Sequence, residues 1–132
     1  MNNPFIHLRS LSSYSLSEST LKIPDLVDLV KKNNMPAIAI TDNNNMFGVF
    51  EFSKECVKNN IQPIIGTSIN LLDIIVNNQI SQVTFLVKNE IGYRNLLQLC
   101  SLSHLNEGND VGIYFWQLEK FSEGLFCYIG GE

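Results

Sequence analysis

The spacing of apolar side chains changes period several times along this 132-residue chain. Residues 5–9, Phe-Ile-His-Leu-Arg, alternate apolar and polar, as a half-buried strand does. The polar run at 12–20 (SSYSLSEST) then reads as a loop. From Ile23 the period lengthens: Ile23, Leu26, Val27 and Val30 recur at helical spacing, and Pro24 suits a first turn. Asp25 and Asp28 near the start, with Lys31 and Lys32 near the end, complement the helix dipole. Residues 35–42 (MPAIAITD) form a short run with β-branched residues that ends at Asp42, the pattern of a buried parallel strand.

A second helix is predicted over 46–60, where Val49, Phe52 and Cys56 share one face with Phe50 and Val57 beside it. Residues 61–76 are strand-rich, 77–81 (NNQIS) mark a turn, and 82–89 (QVTFLVKN) give a further strand. The third helix, over 90–105, places Tyr93, Leu96, Leu97, Cys100 and His104 on one face. A loop at 106–112, a helical turn at 116–121 and a final strand at 124–131 complete the chain, with no internal repeat or linker. The order β-α-β-α-β-β-α-β argues for an α/β fold of mostly parallel strands with right-handed crossovers. An open doubly wound sheet and part of a β/α barrel both satisfy it, and in either one the chemistry collects at the C-terminal strand ends. That rim would hold Arg9, Asp42 and the Gly66-Thr67-Ser68 stretch.

Composition narrows the classes. Hydrophobic content of 45% supports a core, and a net charge of −4 gives no overall basic footprint for a nucleic-acid module. Lys22, Lys31, Lys32, Lys54 and Lys58 read as solvated helix faces. Cys56, Cys100 and Cys127 are odd in number and widely spaced, so neither a zinc knuckle nor a disulfide framework is indicated. There is no membrane-length apolar run and no leader pattern, and a cytoplasmic setting is expected.

Motifs exclude more than they supply. There is no GxGxxG, no GKS/T and no GxSxG, and two histidines cannot build a histidine-rich cage. His104 reads as a surface or boundary residue, and Asp42, taken alone, as a cap for the next helix or turn.

Five segments taken together carry a family resemblance. FIHLRSLSSYS (5–15) resembles an opening HLHxHSxYS-type motif, and MPAIAITDNNNMFGVFEF (35–52) resembles MPALAxTDHGNMFGAVEF. NIQPIIGTSI (60–69) resembles GIKPIxGxE, VTFLVKNEIGYRNLLQLCS (83–101) resembles LLLLAKNxxGYxNLxxLxS, and LEKFSEGLFCYIGG (118–131) resembles LxxxSEGLIxLSGG. These are motifs of the PHP (polymerase and histidinol phosphatase) domain that opens the bacterial DNA polymerase III alpha subunit, and the match is colinear over essentially the whole chain. The resemblance implies that residues 1–132 are a partial PHP domain, the first part of a distorted PHP-type β/α barrel with outer helices. A complete β/α barrel needs about 250 residues, and the polymerase palm, fingers and later domains would follow.

The departures from those motifs bear on chemistry. Active PHP domains gather two or three metal ions on histidines and carboxylates for phosphoester hydrolysis, which requires several unprotonated ligands in one small volume. Here His7 is kept, but Arg9 and Leu11 stand at the other opening histidines. Asp42 is kept while Asn43 replaces the next histidine, Ser68 the glutamate, and Gln82 the histidine before the third-helix strand. Arg9 is a fixed cation that cannot deprotonate to bind metal. The resemblance therefore implies a degenerate site at His7, Arg9, Leu11, Asp42, Asn43, Ser68 and Gln82, with no metal and no catalytic residue expected, and with Arg9 and Asp42 paired across neighbouring strand ends.

The function implied is a catalytically lapsed scaffold within the replicative polymerase. It would dock a proofreading exonuclease subunit and neighbour the other polymerase III subunits. For the parent polypeptide the resemblance implies template-directed DNA synthesis with Mg²⁺ and contact with DNA. The alternatives are an active metal-dependent phosphoesterase (3′–5′ exonuclease or pyrophosphatase) and a stand-alone histidinol-phosphatase-like enzyme. The ligand set argues against the first, and the polymerase-like FGVFEF and GYRNLLQLCS segments argue against the second. The apolar last strand, GLFCYIGG, is an edge that invites self-association.

Overall fold

The computed structural model describes residues 22–43, 45–106 and 110–129. The expected first strand, the loop after it, and the site positions His7, Arg9 and Leu11 lie outside these residues. The described elements run α1 (Ile23–Lys32), β1 (Ala37–Ile40), α2 (Val49–Lys58), β2 (Gln62–Val76), β3 (Gln79–Val87), α3 (Glu90–Leu105), α4 (Phe115–Lys120) and β4 (Leu125–Ile129). The four strands form one sheet in the order β1-β2-β3-β4.

The α/β class holds, but strand direction differs from the expectation. β1 pairs with β2 in parallel, from Ala37 opposite Gln62 to Ile40 opposite Ile65. β2 with β3, and β3 with β4, are antiparallel. The cause is local for the first of these. Only Asn77 and Asn78 separate β2 from β3, and both have positive φ, 52° and 62°. Two left-handed residues make a type I′ hairpin turn, whereas a parallel return requires a crossover of a dozen or more residues.

All three long helices pack on one side of this sheet. Ile23, Leu26, Val27 and Val30 of α1, Val49, Phe52 and Cys56 of α2, and Ile38 and Ile40 of β1 form one core cluster. Ile69 and Leu71 of β2, Val83 and Phe85 of β3, and Leu96, Leu99 and Cys100 of α3 form a second, with Ile113 and Leu125. Met46 packs against both. Each fully buried large apolar side chain contributes about 1.5–3 kcal/mol, so these clusters carry most of the stabilisation.

The predicted inward faces of α1 and α2 are the observed ones, with Phe50 and Val57 turned to solvent. On α3 the face is rotated. Gly92, Leu96, Leu99, Cys100 and Ser103 are buried, while Tyr93, Leu97 and His104 lie on the solvent side. The five named lysines of the helices are all exposed.

A close backbone approach sets the start of α3. Asn89 caps it, its Oδ1 accepting from Gly92 N at 2.9 Å. Gly92 then lies against Gly124, whose φ of +78° suits glycine. Lys88 N donates to Gly124 O at 2.9 Å, and Asn95 Nδ2 donates to Glu123 O at 2.8 Å. A Cβ on Gly92 would overlap the Gly124 carbonyl, which is backbone and cannot swing away. Gly92→Ala is therefore expected to lower unfolding stability by about 2 kcal/mol or more, measured as the urea midpoint shift, although alanine is the better helix former.

Candidate functional site

The rim forms where β1 ends. Ser68 N donates to Asp42 O at 3.1 Å, and Asn43 bridges to Ser68 in parallel, so β2 holds the segment leaving β1. Thr67, fully buried, fastens the same segment from its side chain. Its hydroxyl approaches Asp42 O at 2.5 Å and Asn45 O at 2.9 Å. Asn45 makes the turn into α2, accepting from Phe47 N at 3.2 Å and donating to Asn43 O at 2.9 Å. Asn45 is thus a turn-forming side chain here, and α2 itself starts from Gly48 with no side-chain cap.

Alternation along the strands puts Thr67, Ile69 and Leu71 toward the helices and Ser68 and Asn70 on the other face. On that second face Ser68 Oγ and Thr84 Oγ1 are 2.8 Å apart, both side chains buried. Gln82 lies two residues before Thr84 on the same face, and its Nε2 donates to Asn43 Oδ1 at 3.3 Å. Of the seven positions named from sequence, the structure therefore brings Asp42, Asn43, Ser68 and Gln82 to one rim. Thr67, expected at the rim with its Gly66-Thr67-Ser68 stretch, is there too, and the structure adds Thr84 and Asn45, which the sequence pattern does not single out. Thr84 could have been found from its place opposite Ser68, two residues beyond Gln82.

The described part of this rim does not by itself supply the ligands of a multi-metal centre. Among the described residues no three His, Cys, Asp or Glu side chains converge. Ser68 and Thr84, and Asn43 and Gln82, engage each other, and all four are neutral. Neutral amides and hydroxyls do not offset the charge of clustered dications. Asp42, 1% exposed, is the carboxylate of the described rim.

The thiols here are inert. Burial pushes Cys100 up to about 12, with the Thr67 hydroxyl opposing, and burial with the nearby Glu55 charge pushes Cys56 up to about 11. Neither is a nucleophile at neutral pH.

The arrangement is a helix-backed sheet with a polar rim at the exit of its parallel strand. Two solved structures share the fold: an amidohydrolase from Chromobacterium violaceum with bound sulfate and no metal, and a protein described as a metal-dependent phosphoesterase from Bifidobacterium adolescentis. The first gives a TM-score of 0.57 at 14% identity, over 79% of this chain and 34% of that one. The second gives 0.55 at 15%, over 76% and 32%. A PHP domain family model matches residues 7–131, and the chain belongs to that family.

Its curated relatives are DNA polymerase III alpha subunits. That of Rickettsia prowazekii is 41% identical over 136 residues, covering 99% of this chain and 11% of the relative. That of Buchnera aphidicola is 38% identical over 135 residues, covering 99% and 12%, and that of Vibrio cholerae 35% over 136 residues, covering 100% and 12%. The chain thus spans 11–12% of the length of these relatives.

Two outcomes follow for the rim. Ser68→Ala strands the buried Thr84 hydroxyl and is expected to cost about 1–2 kcal/mol, whereas Ser68→Ala with Thr84→Val removes both partners and costs less than the sum; denaturant melts of the four proteins test this. The raised thiols give the second. Their stabilisation is complete below the ordinary thiol value of 9.0 and is lost as pH rises toward about 11 for Cys56 and about 12 for Cys100. Urea midpoints should therefore fall above pH 9, and Cys100→Ala should flatten the fall.

Proposed function

We propose that this chain is the opening part of the PHP barrel of a longer DNA polymerase III alpha subunit, and that it serves there as a scaffold without hydrolytic activity. The observation that carries this is the neutral, mutually bonded set Asn43–Gln82 and Ser68–Thr84, in the place where a PHP hydrolase needs charged ligands. The polymerase relatives that match nearly all of the chain support the parent assignment. In that parent, template-directed nucleotidyl transfer with Mg²⁺ belongs to palm and fingers beyond these residues. Contact with DNA belongs there too, and the setting is the cytoplasm. Among the described residues no helix is long and apolar enough to cross a membrane.

His7, Arg9, Leu11, Asp42, Asn43, Ser68 and Gln82 are the positions of the lapsed site. On this reading the fixed charge of Arg9, expected from the sequence to pair with Asp42, stands where a dication would. With its metal chemistry lapsed, the domain supports the polymerase core and provides a docking region for a separate proofreading exonuclease subunit.

The test joins two measurements. Calorimetric titration with Mn²⁺ and Zn²⁺ is expected to show no tight binding. Arg9→Ala and Asp42→Ala are each expected to destabilise by about 3 kcal/mol, with the double variant costing clearly less than the sum. Tight metal binding that is lost in Asp42→Ala, together with phosphoesterase turnover, would overturn the scaffold reading in favour of an active hydrolase.

A further inference from the structure

Two aromatic side chains at the entry to α2 stand almost bare: Phe47 is 73% exposed and Phe50 80%. The fold does not use them, since α2 buries Val49, Phe52 and Cys56 instead. Leu97 and Tyr93, on the solvent side of α3, are a further 41% and 37% exposed. Between the α2 entry and α3 lies a mostly apolar cleft of about 250 Å³, lined by Met46, Phe47, Leu97 and Cys100, with Ser101 and His104. An apolar cavity of about 150 Å³ already takes up benzene, so this cleft has room for a phenyl ring.

We infer that this face is the contact surface for a second copy of the chain, related by a two-fold axis. Shape is the first reason. A two-fold contact uses the same patch on both partners, so the patch must hold both the protrusion and the recess that receives it. Here Phe47 walls the cleft and Phe50 stands one helical turn further along the α2 entry, so the Phe50 ring of each copy enters the cleft of the other.

Size is the second reason. Large side chains bury about 150–250 Å² each, so the four exposed ones offer roughly 450 Å² of apolar surface. A standard interface buries about 800 Å² per partner, a little over half of it apolar. The patch matches the apolar centre of one such interface. Glu51 and Lys54, exposed on the same helix, give its margin both signs of charge. The inference concerns this chain alone and does not depend on the polymerase reading.

Sedimentation equilibrium over a concentration series tests it, on the wild-type chain and two variants. Phe50→Ser removes the protrusion and leaves the cleft wall at Phe47 in place, and Ser101→Trp fills the recess. Both sites are exposed, and circular dichroism checks that the fold is kept. The expected result is a wild-type dimer whose Kd weakens at least about 30-fold in each variant. A mixture of the two variants should regain part of the association, because one ring-in-cleft contact survives. A monomeric wild type would overturn the inference. So would a dimer indifferent to both variants but lost on Phe126→Lys, which would place the contact at the β4 edge.

Discussion

The backbone of β2 is the constraint on which this structure depends. A buried strand must satisfy its amide and carbonyl groups along both edges, and β2, at fifteen residues, is too long for any single neighbour on its first edge. β3 lines the other edge, with a register shift between Leu71 and Ile75. The first edge is shared. β1 takes Gln62 to Ile65, the chain at Asp42 and Asn43 takes Ser68, and the segment at Ile113 takes Asn70 and Leu72. The last handover requires α3 to end where it does. Gly112 N returns to Ser103 O at 3.0 Å, and the amides of Asn106 and the buried Gln117 bond each other reciprocally, which fixes the loop that delivers Ile113.

The rim inherits its chemistry from that handover. Asp42 and Asn43 lie beside Ser68 because the strand edge needs them there, whatever side chains they carry. In a metal site, ions would cross-link these strand ends through charged ligands. Here hydrogen bonds make the same cross-links: Thr67 to the β1 exit, Ser68 to Thr84, Asn43 to Gln82. The substitutions support one another. A histidine placed back at position 43 would lose the Gln82 bond, and a glutamate at 68 would put a charge beside the buried Thr84. A half-restored site would be worse than either the charged or the neutral version, because an unpaired buried polar group costs more than a paired one returns.

Much of this was legible from side-chain period. α1, β1 and the inward face of α2 have unambiguous apolar spacing, and the structure follows it. The rotated face of α3 was harder because apolar residues nearly encircle that helix. Leu96, Leu97, Leu99 and Cys100 leave two adjacent stripes, and what selects between them is the Gly92–Gly124 approach, a tertiary contact that periodicity does not encode. Strand direction was readable from the two-asparagine turn, but the alternation of strands with helices outweighed it. At the rim, the named positions came from motif correspondence. Thr67 was placed at the rim with its Gly66-Thr67-Ser68 stretch, but its bonding role, like the roles of Thr84 and Asn45, is a hydrogen bond to backbone or to another side chain that the local sequence does not mark.

A domain that hydrolyses and a domain that holds other surfaces need opposite things from the same fold. The first must keep charged groups uncompensated at its rim until a metal or substrate arrives, at a cost in stability. The second can neutralise its rim but must leave apolar surface uncovered until a partner arrives. In its described part this chain has two neutral, mutually bonded pairs at the rim beside the single Asp42 carboxylate, and its bare rings lie on the solvent side, at the entry to α2. The segment from Asn45 to Phe47 leads from that rim to those rings, with Thr67 holding the Asn45 carbonyl and the Asn45 side chain accepting from Phe47 N. Hydrogen bonds that secure the rim therefore also fix the angle at which Phe47 leaves the body of the protein. In that sense the bonds of the described rim and the placement of Phe47 belong to one structural unit.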